Sequence, residues 1–252
     1  GPDAHFDGQN FSKAFEIKFL NKEGKHEYAW QNTWALTTRM IGIIVMDHGD
    51  DYGLVLPPKI APIQAVIVPI IFEDSKKEVL AAAAKIKKEL EKENIAVELD
   101  DRDTYTAGWK FNEWELKGVP VRIEVGPRDL KQKQAVLFRR DARTKESVKL
   151  ATIAAAVKKA LDEIQDSLYK KSRQHLESSI VNVKSIAEIA AAAKNKKLSK
   201  GYFCGSAKCE EQIKVNADGA SSRCINLSSS EKKGKCVVCG KEGTVTYFGK
   251  AY

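Results

Sequence analysis

Gly108 to Asp129 reads Gly-Trp-Lys-Phe-Asn-Glu-Trp-Glu-Leu-Lys-Gly-Val-Pro-Val-Arg-Ile-Glu-Val-Gly-Pro-Arg-Asp. The first half is a short aromatic and charged helix, in which Phe111 and Glu115, four residues apart, share one face. The second half is a strand: Val119, Val121, Ile123 and Val125 alternate with Pro120, Arg122 and Glu124. The alternation turns Arg122 away from the apolar face. A Gly-Pro turn carrying Arg128 and Asp129 follows. A flat ring, two carboxylates and a guanidinium thus come from consecutive elements. That set suits extruded nucleotide bases, the ring stacking and the charges reading base edges. The spacing is equally that of an amphipathic helix and strand with solvated charges.

Moving outward, Ile63–Phe72 reads as a buried strand. A helix starts at Ser75 with Glu78 completing a capping box, and Val79, Ala83, Ile86 and Leu90 form its stripe. Ile95, Val97 and Leu99 alternate as a strand, and another covers 135–140. A long helix beginning near Ser147 carries Leu150, Ile153, Val157 and Leu161. This order predicts an α/β layer on a mixed sheet. Upstream, Phe15, Ile17 and Phe19 predict a strand, 21–25 a hairpin turn and Glu27–Trp30 a return strand. An apolar stretch, Met40–Met46, follows. These pieces look like the tail of a larger antiparallel sheet. Pro57-Pro58 and Pro62 mark a boundary, and from about residue 168 a basic, then Ala-rich, then cysteine-bearing α+β module begins. Ser228-Ser229-Ser230 is a short polar loop, and Gly1-Pro2 has the look of a protease scar.

A length of 252 residues, 43% hydrophobic and 30% charged, fits one or two globular cores plus a small module. No apolar run reaches the roughly 20 residues needed to span a bilayer, and no secretory signal is visible in the sequence. The net charge of +8 is uneven. Residues 170–200 hold eight Lys/Arg against Glu177 and Glu188. A phosphodiester partner would account for this through counterion release, as would a solvated helix exterior.

All five cysteines lie between 204 and 239. Cys204-x4-Cys209 and Cys236-x2-Cys239 form two pairs separated by 26 residues, and Cys224 is left over. Two thiolate pairs meeting tetrahedrally suit a structural Zn²⁺; free thiols or disulfides are the alternatives.

The 108–129 run closely resembles the anticodon-binding domain of prolyl-tRNA synthetases of the archaeal and eukaryotic type. Residues 28–58, from Tyr-Ala-Trp-Gln-Asn-Thr-Trp-Ala-Leu-Thr-Thr-Arg through His48-Gly49-Asp50-Asp51 to Pro57-Pro58, resemble that family's third class II motif and its exit. The C-terminus, Phe248-Gly249-Lys250-Ala251-Tyr252, resembles the family's terminus.

The resemblance implies three parts: the end of a class II catalytic antiparallel sheet (1–58), an α/β anticodon-binding domain with a mixed sheet (59–166), and a small α+β zinc-binding domain (167–252). It implies that Lys110, Phe111, Glu115, Arg122 and Asp129 meet the anticodon of tRNA(Pro). It also implies that Arg39 clamps ATP phosphates, that Thr37 contacts ATP, and that His5 helps enclose proline. Cys204, Cys209, Cys236 and Cys239 are the implied zinc set, with Cys224 outside it. ATP with Mg²⁺, a homodimeric parent enzyme, a cytoplasmic setting and no membrane partner complete the expectation. Two positions depart from the family pattern: Ala35 stands where Gly is usual, and Asp3 where a Thr contacting ATP is expected. The first and second class II motifs are not in this sequence. The expectation is therefore a C-terminal portion of a proline–tRNA ligase, inactive alone, with a non-enzymatic tRNA-binding module as the alternative.

Overall fold

The computed structural model describes residues 3–226 and 233–251. Gly1-Pro2, Ser228-Ser229-Ser230 and Tyr252 lie outside the described residues. The chain divides into two units, Gly1–Leu168 and Tyr169–Tyr252.

The first unit opens with β1 (Asp3–Gly8), α1 (Asn10–Ala14), the hairpin β2 (Lys18–Leu20) and β3 (His26–Tyr28), β4 (Gln31–Ala35) and α2 (Arg39–His48). β1 and β4 pair antiparallel, with Asp3 opposite Ala35 and His5 opposite Thr33. The hairpin turn lies at 21–25 as expected: Asn21 Oδ1 accepts from the Glu23 and Lys25 amides, each at 2.9 Å. The strand expected from Phe15 begins only at Lys18, because Glu16 takes the left-handed conformation (φ 56) and breaks the extended run. Among the described residues 3–50 only Ser12 is buried. Phe6, Trp34 and Met46 are each 76% exposed.

Packing changes at Val55. The next elements are β5 (Ala65–Pro69), α3 (Lys76–Lys92), β6 (Val97–Leu99), α4 (Ala107–Leu116), β7 (Val121–Val125), α5 (Pro127–Lys131), β8 (Gln134–Arg139), β9 (Thr144–Lys149) and α6 (Ile153–Ser179). They form a mixed five-stranded sheet of order β6-β5-β7-β8-β9. β6, β5 and β7 are parallel; β8 and β9 are antiparallel additions. β5 is buried along its whole length, which explains its unbroken apolar sequence: both faces of the sheet are covered. One face packs Ala65, Ile67, Val121 and Ile123 against Ala83, Ile86 and Leu90 of α3 and Val157 and Ile164 of α6. The opposite face packs Val66 and Val68 against Trp114 of α4.

Three local expectations are corrected. The long helix starts at Ile153, because Thr144–Lys149 pairs residue for residue with β8 as an edge strand. Ser75 does not cap α3; its Oγ donates to the Phe72 carbonyl at 3.3 Å across a short 3₁₀ turn, and the capping box does not form. The Gly-Pro turn is a short helix, α5, and the Asp129 carboxylate accepts the Gly126 amide at 2.9 Å. Gly118 ends α4 in the left-handed region (φ 73); a Cβ there would lie 2.6 Å from Leu54. That close approach lets the Gly118 carbonyl accept from the Leu56 amide at 3.2 Å.

The second unit contains β10 (Ile180–Asn182), α7 (Ile186–Lys194), β11 (Leu198–Phe203), α8 (Ala207–Asn216), β12 (Ala220–Cys224), β13 (Gly234–Lys235) and β14 (Glu242–Lys250). Its sheet runs β10-β11-β14-β12, with β13 also on β14. Ser185 caps α7 by accepting from the Glu188 amide. The core is small: Val183, Ile189, Phe203, Ile213 and Phe248 pack with Cys209 and Cys236. No helix among the described residues is long and apolar enough to cross a membrane.

Candidate nucleic-acid interface and metal centre

The sheet face under α4 carries the charged residues of β7. Strand register sets Val66, Arg122, Phe138 and Lys145 in one row across β5, β7, β8 and β9. Arg122 points to the α4 side, as the alternation predicts, but it is not solvated: it is only 4% exposed. Its guanidinium carbon sits 4.2 Å from the Phe111 ring centroid and 4.1 Å from that of Phe138. Nε and Nη2 both donate to Glu124 Oε1, at 3.1 and 2.8 Å, and Nη1 reaches the Phe111 carbonyl at 3.4 Å. Lys145 Nζ, half exposed, closes on the other Glu124 oxygen at 2.9 Å. The result is a planar cation between two rings with a buried carboxylate holding its orientation. Such an arrangement fixes a fork donor in advance.

Glu115 lies one turn beyond Phe111 on α4. Its Oε1 is 2.8 Å from Arg143 Nη1, yet no hydrogen bond of good geometry reaches that buried oxygen. The Asp129 side chain is spent in part on the Gly126 amide. Lys110, implied by the resemblance to meet the anticodon, points inward instead. It is 2% exposed, its ammonium donating to the Asp100 carbonyl at 3.1 Å. Asp100 is the hub of that region, accepting from Arg102 Nε and Nη2 at 2.8 and 2.7 Å and from Trp114 Nε1 at 2.8 Å. Burial works against its charge, but Arg102, Trp114 and Lys110 overcome it and hold the carboxyl at about 2. Lys110 is thus a core counter-ion.

Pairing of β1 with β4 brings His5 near the segment leading to Thr37 and Arg39. His5 Nε2 lies 3.2 Å from Asp3 Oδ2, both side chains being exposed. Arg39 opens α2 and, among the described residues, has no partner for its guanidinium. The two departures from the family pattern, Asp3 and Ala35, are direct cross-strand neighbours.

The four cysteines converge. The sulfurs of Cys204, Cys209, Cys236 and Cys239 all lie within 4.8 Å of one another. Cys204 Sγ is 3.6 Å from that of Cys209 and 3.7 Å from that of Cys239. Four sulfurs about 2.3 Å from a tetrahedral Zn²⁺ would stand about 3.8 Å apart, whereas a disulfide needs about 2 Å. The donor set therefore fits a metal and not a disulfide. Cys209 is pushed up to about 12 by burial and by its neighbouring thiols. Burial also opposes ionisation of Cys236, but the amides of Cys239, Val238 and Cys204 bring it down to about 7. Cys224 ends β12, exposed and outside the cluster.

Comparison with known proteins places these features. Residues 64–160 match the model of the anticodon binding domain, and residues 186–252 match that of the prolyl-tRNA synthetase C-terminal domain. Proline–tRNA ligase 2 of Clostridioides difficile (strain 630) is 44% identical over 251 residues, 99% of this chain and 52% of the relative. The chloroplastic/mitochondrial proline–tRNA ligase of Arabidopsis thaliana is 43% identical over 257 residues, 99% of this chain and 47% of the relative. Proline–tRNA ligase 2 of Bacillus cereus is 42% identical over 251 residues, with 99% and 52% covered. Over 99% of its length the chain is similar to prolyl-tRNA synthetases. It spans about half the length of the curated relatives it matches.

Sequence reading missed the supporting partners of these residues. Glu124 was visible only as an alternating polar residue. Phe138, Lys145 and Arg143 lie on β8 and β9 or their turn, joined to Arg122 and Glu115 by sheet pairing rather than by spacing. The 2-residue period of 134–139 and 144–149 was the one available signal for Phe138 and Lys145. Nothing in the sequence pairs Arg143 with Glu115.

Proposed function

We propose that this chain is the C-terminal portion of a proline–tRNA ligase, reading the anticodon of tRNA(Pro) with the α4 side of its mixed sheet. The observation that carries this reading is the fixed Phe111–Arg122–Phe138 stack with Glu115 beside it, inside the anticodon-binding match. Proline anticodons carry two adjacent guanines, as the family assignment implies. Guanine presents acceptors at O6 and N7 to a guanidinium, and donors at N1 and N2 to a carboxylate. Arg122 Nη1, the loosest of its three contacts, serves the first pattern; Glu115 and Asp129 serve the second; Phe111 supplies a ring edge or face.

In the parent enzyme, ATP with Mg²⁺ would activate proline before transfer to tRNA. Arg39 would bind the ATP phosphates, Thr37 would contact ATP and His5 would border proline. The exposed apolar side chains of residues 3–48 are a surface for the rest of a catalytic sheet. In the division proposed here, 1–58 belongs to the catalytic domain, 59–166 is the anticodon-binding domain and 167–252 the zinc-binding one. Zn²⁺ held by Cys204, Cys209, Cys236 and Cys239 would be structural, since four protein ligands leave no open position. A homodimeric parent and a cytoplasmic setting follow from the same family assignment. A reducing compartment also keeps such thiols available.

The test is discrimination. Glu115→Ala should reduce preference for proline tRNA over an anticodon-swapped version by about 1–3 kcal/mol, with little effect on the swapped tRNA itself. Equal binding of both tRNAs by the unmodified protein would remove the reading.

A further inference from the structure

Glu115 is held in a closed circuit of contacts. Its backbone carbonyl accepts from Arg140 Nε at 3.0 Å. Arg140 is 1% exposed and grips Asp50 with both terminal nitrogens, at 2.8 and 2.6 Å. Asp50 in turn accepts the Tyr52 amide at 2.9 Å. The Tyr52 ring lies under Arg143, whose guanidinium carbon is 3.2 Å from the ring centroid. Arg143 completes the loop at Glu115 Oε1. The circuit therefore has two arms. Arg140 fixes the Glu115 backbone, and Arg143, clamped on Tyr52, faces its carboxylate.

The chemistry of the last contact is specific. Arg143 stands 2.8 Å from Glu115 Oε1 without a well-directed hydrogen bond, on the buried side of a carboxylate whose side chain is 11% exposed. A carboxylate that is to receive N1–H and N2–H of guanine must be held firmly on one side and reachable on the other. A guanidinium clamped flat on a ring and set against the buried oxygen meets the first need. The turn between β8 and β9 holds Arg143 with φ 53, so its backbone is set as well.

We infer that Arg143, braced by Tyr52, is a positioning residue for guanine recognition by Glu115: it holds that carboxylate by its buried oxygen and so aims it at the base. This rests on the reading that Glu115 meets guanine. It extends the anticodon site to residues that do not touch the base and that belong to the β8–β9 turn and to the segment after α2.

The experiment uses the full chain and anticodon stem-loops of proline tRNA in which inosine replaces each of the two guanines in turn. Inosine removes only the 2-amino group. The unmodified protein should lose about 5- to 150-fold in affinity at one position. Glu115→Ala should abolish that sensitivity. Arg143→Ala should abolish most of it at the same position and leave the other unchanged, and Arg143→Lys, which keeps the charge but not the flat stack, should restore only part. Tyr52→Leu keeps Arg143 but removes its support, and should reduce the sensitivity at least about threefold. Thermal melting of each variant reports whether the fold survives. Full inosine sensitivity in folded Arg143→Ala overturns the inference; should that variant not fold, full sensitivity in Tyr52→Leu does so. If Glu115→Ala retains the sensitivity, or the unmodified protein shows none, the reading of Glu115 fails and the inference with it.

Discussion

The two units of this chain use charge in opposite ways. Residues 1–168 hold 26 Lys/Arg against 27 Asp/Glu, a net of −1; residues 169–252 hold 16 against 7, a net of +9. In the first unit the informative charges are paired, with at least one member of each pair buried: Arg122 with Glu124, Arg140 with Asp50, Asp100 with Arg102. In the second, Lys170, Lys171, Lys194 and Lys196 are exposed, and the polar groups of most consequence inside are thiols. Orientation and attraction are thus separated along the chain. Oriented charges discriminate between bases, whereas exposed lysines attract any phosphodiester. The units also differ in what holds them together. The first has a core covered on both faces of its sheet, while the second has a small core with four converging cysteines at its edge.

The sharpest way to break this comparison is at the cysteines. Zn²⁺ binding to such a site is worth about 10–16 kcal/mol in small domains, more than a small core supplies. Cys236→Ser should therefore release zinc from an expected one equivalent and unfold the second unit. All four tryptophans, Trp30, Trp34, Trp109 and Trp114, are in the first unit. The tryptophan-fluorescence melt should hence stay put while amide protection in β11 and β14 is lost. Retained protection in zinc-free protein would show that the second core suffices by itself.

Next in size is Arg140→Ala. It leaves the Asp50 carboxylate and the Glu115 carbonyl without their donor. Asp50 is partly exposed, so we expect a loss of about 2–3 kcal/mol by denaturant melting, below that of a fully buried broken pair. Residues 50–56 should gain hydrogen exchange, since Leu54 and Leu56 donate to the carbonyls of Leu116 and Gly118 from this segment.

Asp100 gives the third test, through pH. Its folded carboxyl is held at about 2, below its ordinary 3.8, by Arg102, Trp114 and Lys110 acting against the cost of burial. A depressed acid contributes stability that is complete well above 3.8 and is lost as pH falls through that value towards 2. With the side chain 1% exposed, the shift corresponds to about 2 kcal/mol. Asp100→Asn should remove this increment and flatten the stability curve of the first unit between about pH 5 and 2. An unchanged curve would mean that Arg102 and Glu113 carry the pairing without Asp100.

These buried pairs also show what the sequence discloses. Period-2 alternation placed Arg122 on the α4 side of β7, and cysteine spacing named all four members of the cluster. Both are local patterns, read within a few residues or from paired motifs. The apolar stripe of α3 was equally plain, because Val79, Ala83, Ile86 and Leu90 are the residues it buries. Burial of the charges was not legible. Lys110 reads as a surface lysine between Trp109 and Phe111, and only the Asp100 carbonyl, ten residues upstream, shows that it points inward. The helix start near Ser147 failed for a related reason. Pairing with β8 decides the conformation of 144–149, and that partner is not readable from the segment itself.

The smallest expected effect is the one that separates attraction from discrimination. Lys194 is exposed in the last turn of α7, among the lysines of the basic stretch. If Lys194 meets a phosphate, Lys194→Ala should weaken proline tRNA and anticodon-swapped tRNA by the same factor and lower the slope of log affinity against log salt by about 1. Its preference between the two tRNAs should not move, in contrast to Glu115→Ala. A changed preference with an unchanged salt slope would assign base reading to the second unit and erase the division of labour between the two. An unchanged slope and unchanged affinity would make Lys194 part of a solvated helix exterior, leaving attraction to the other lysines of that unit.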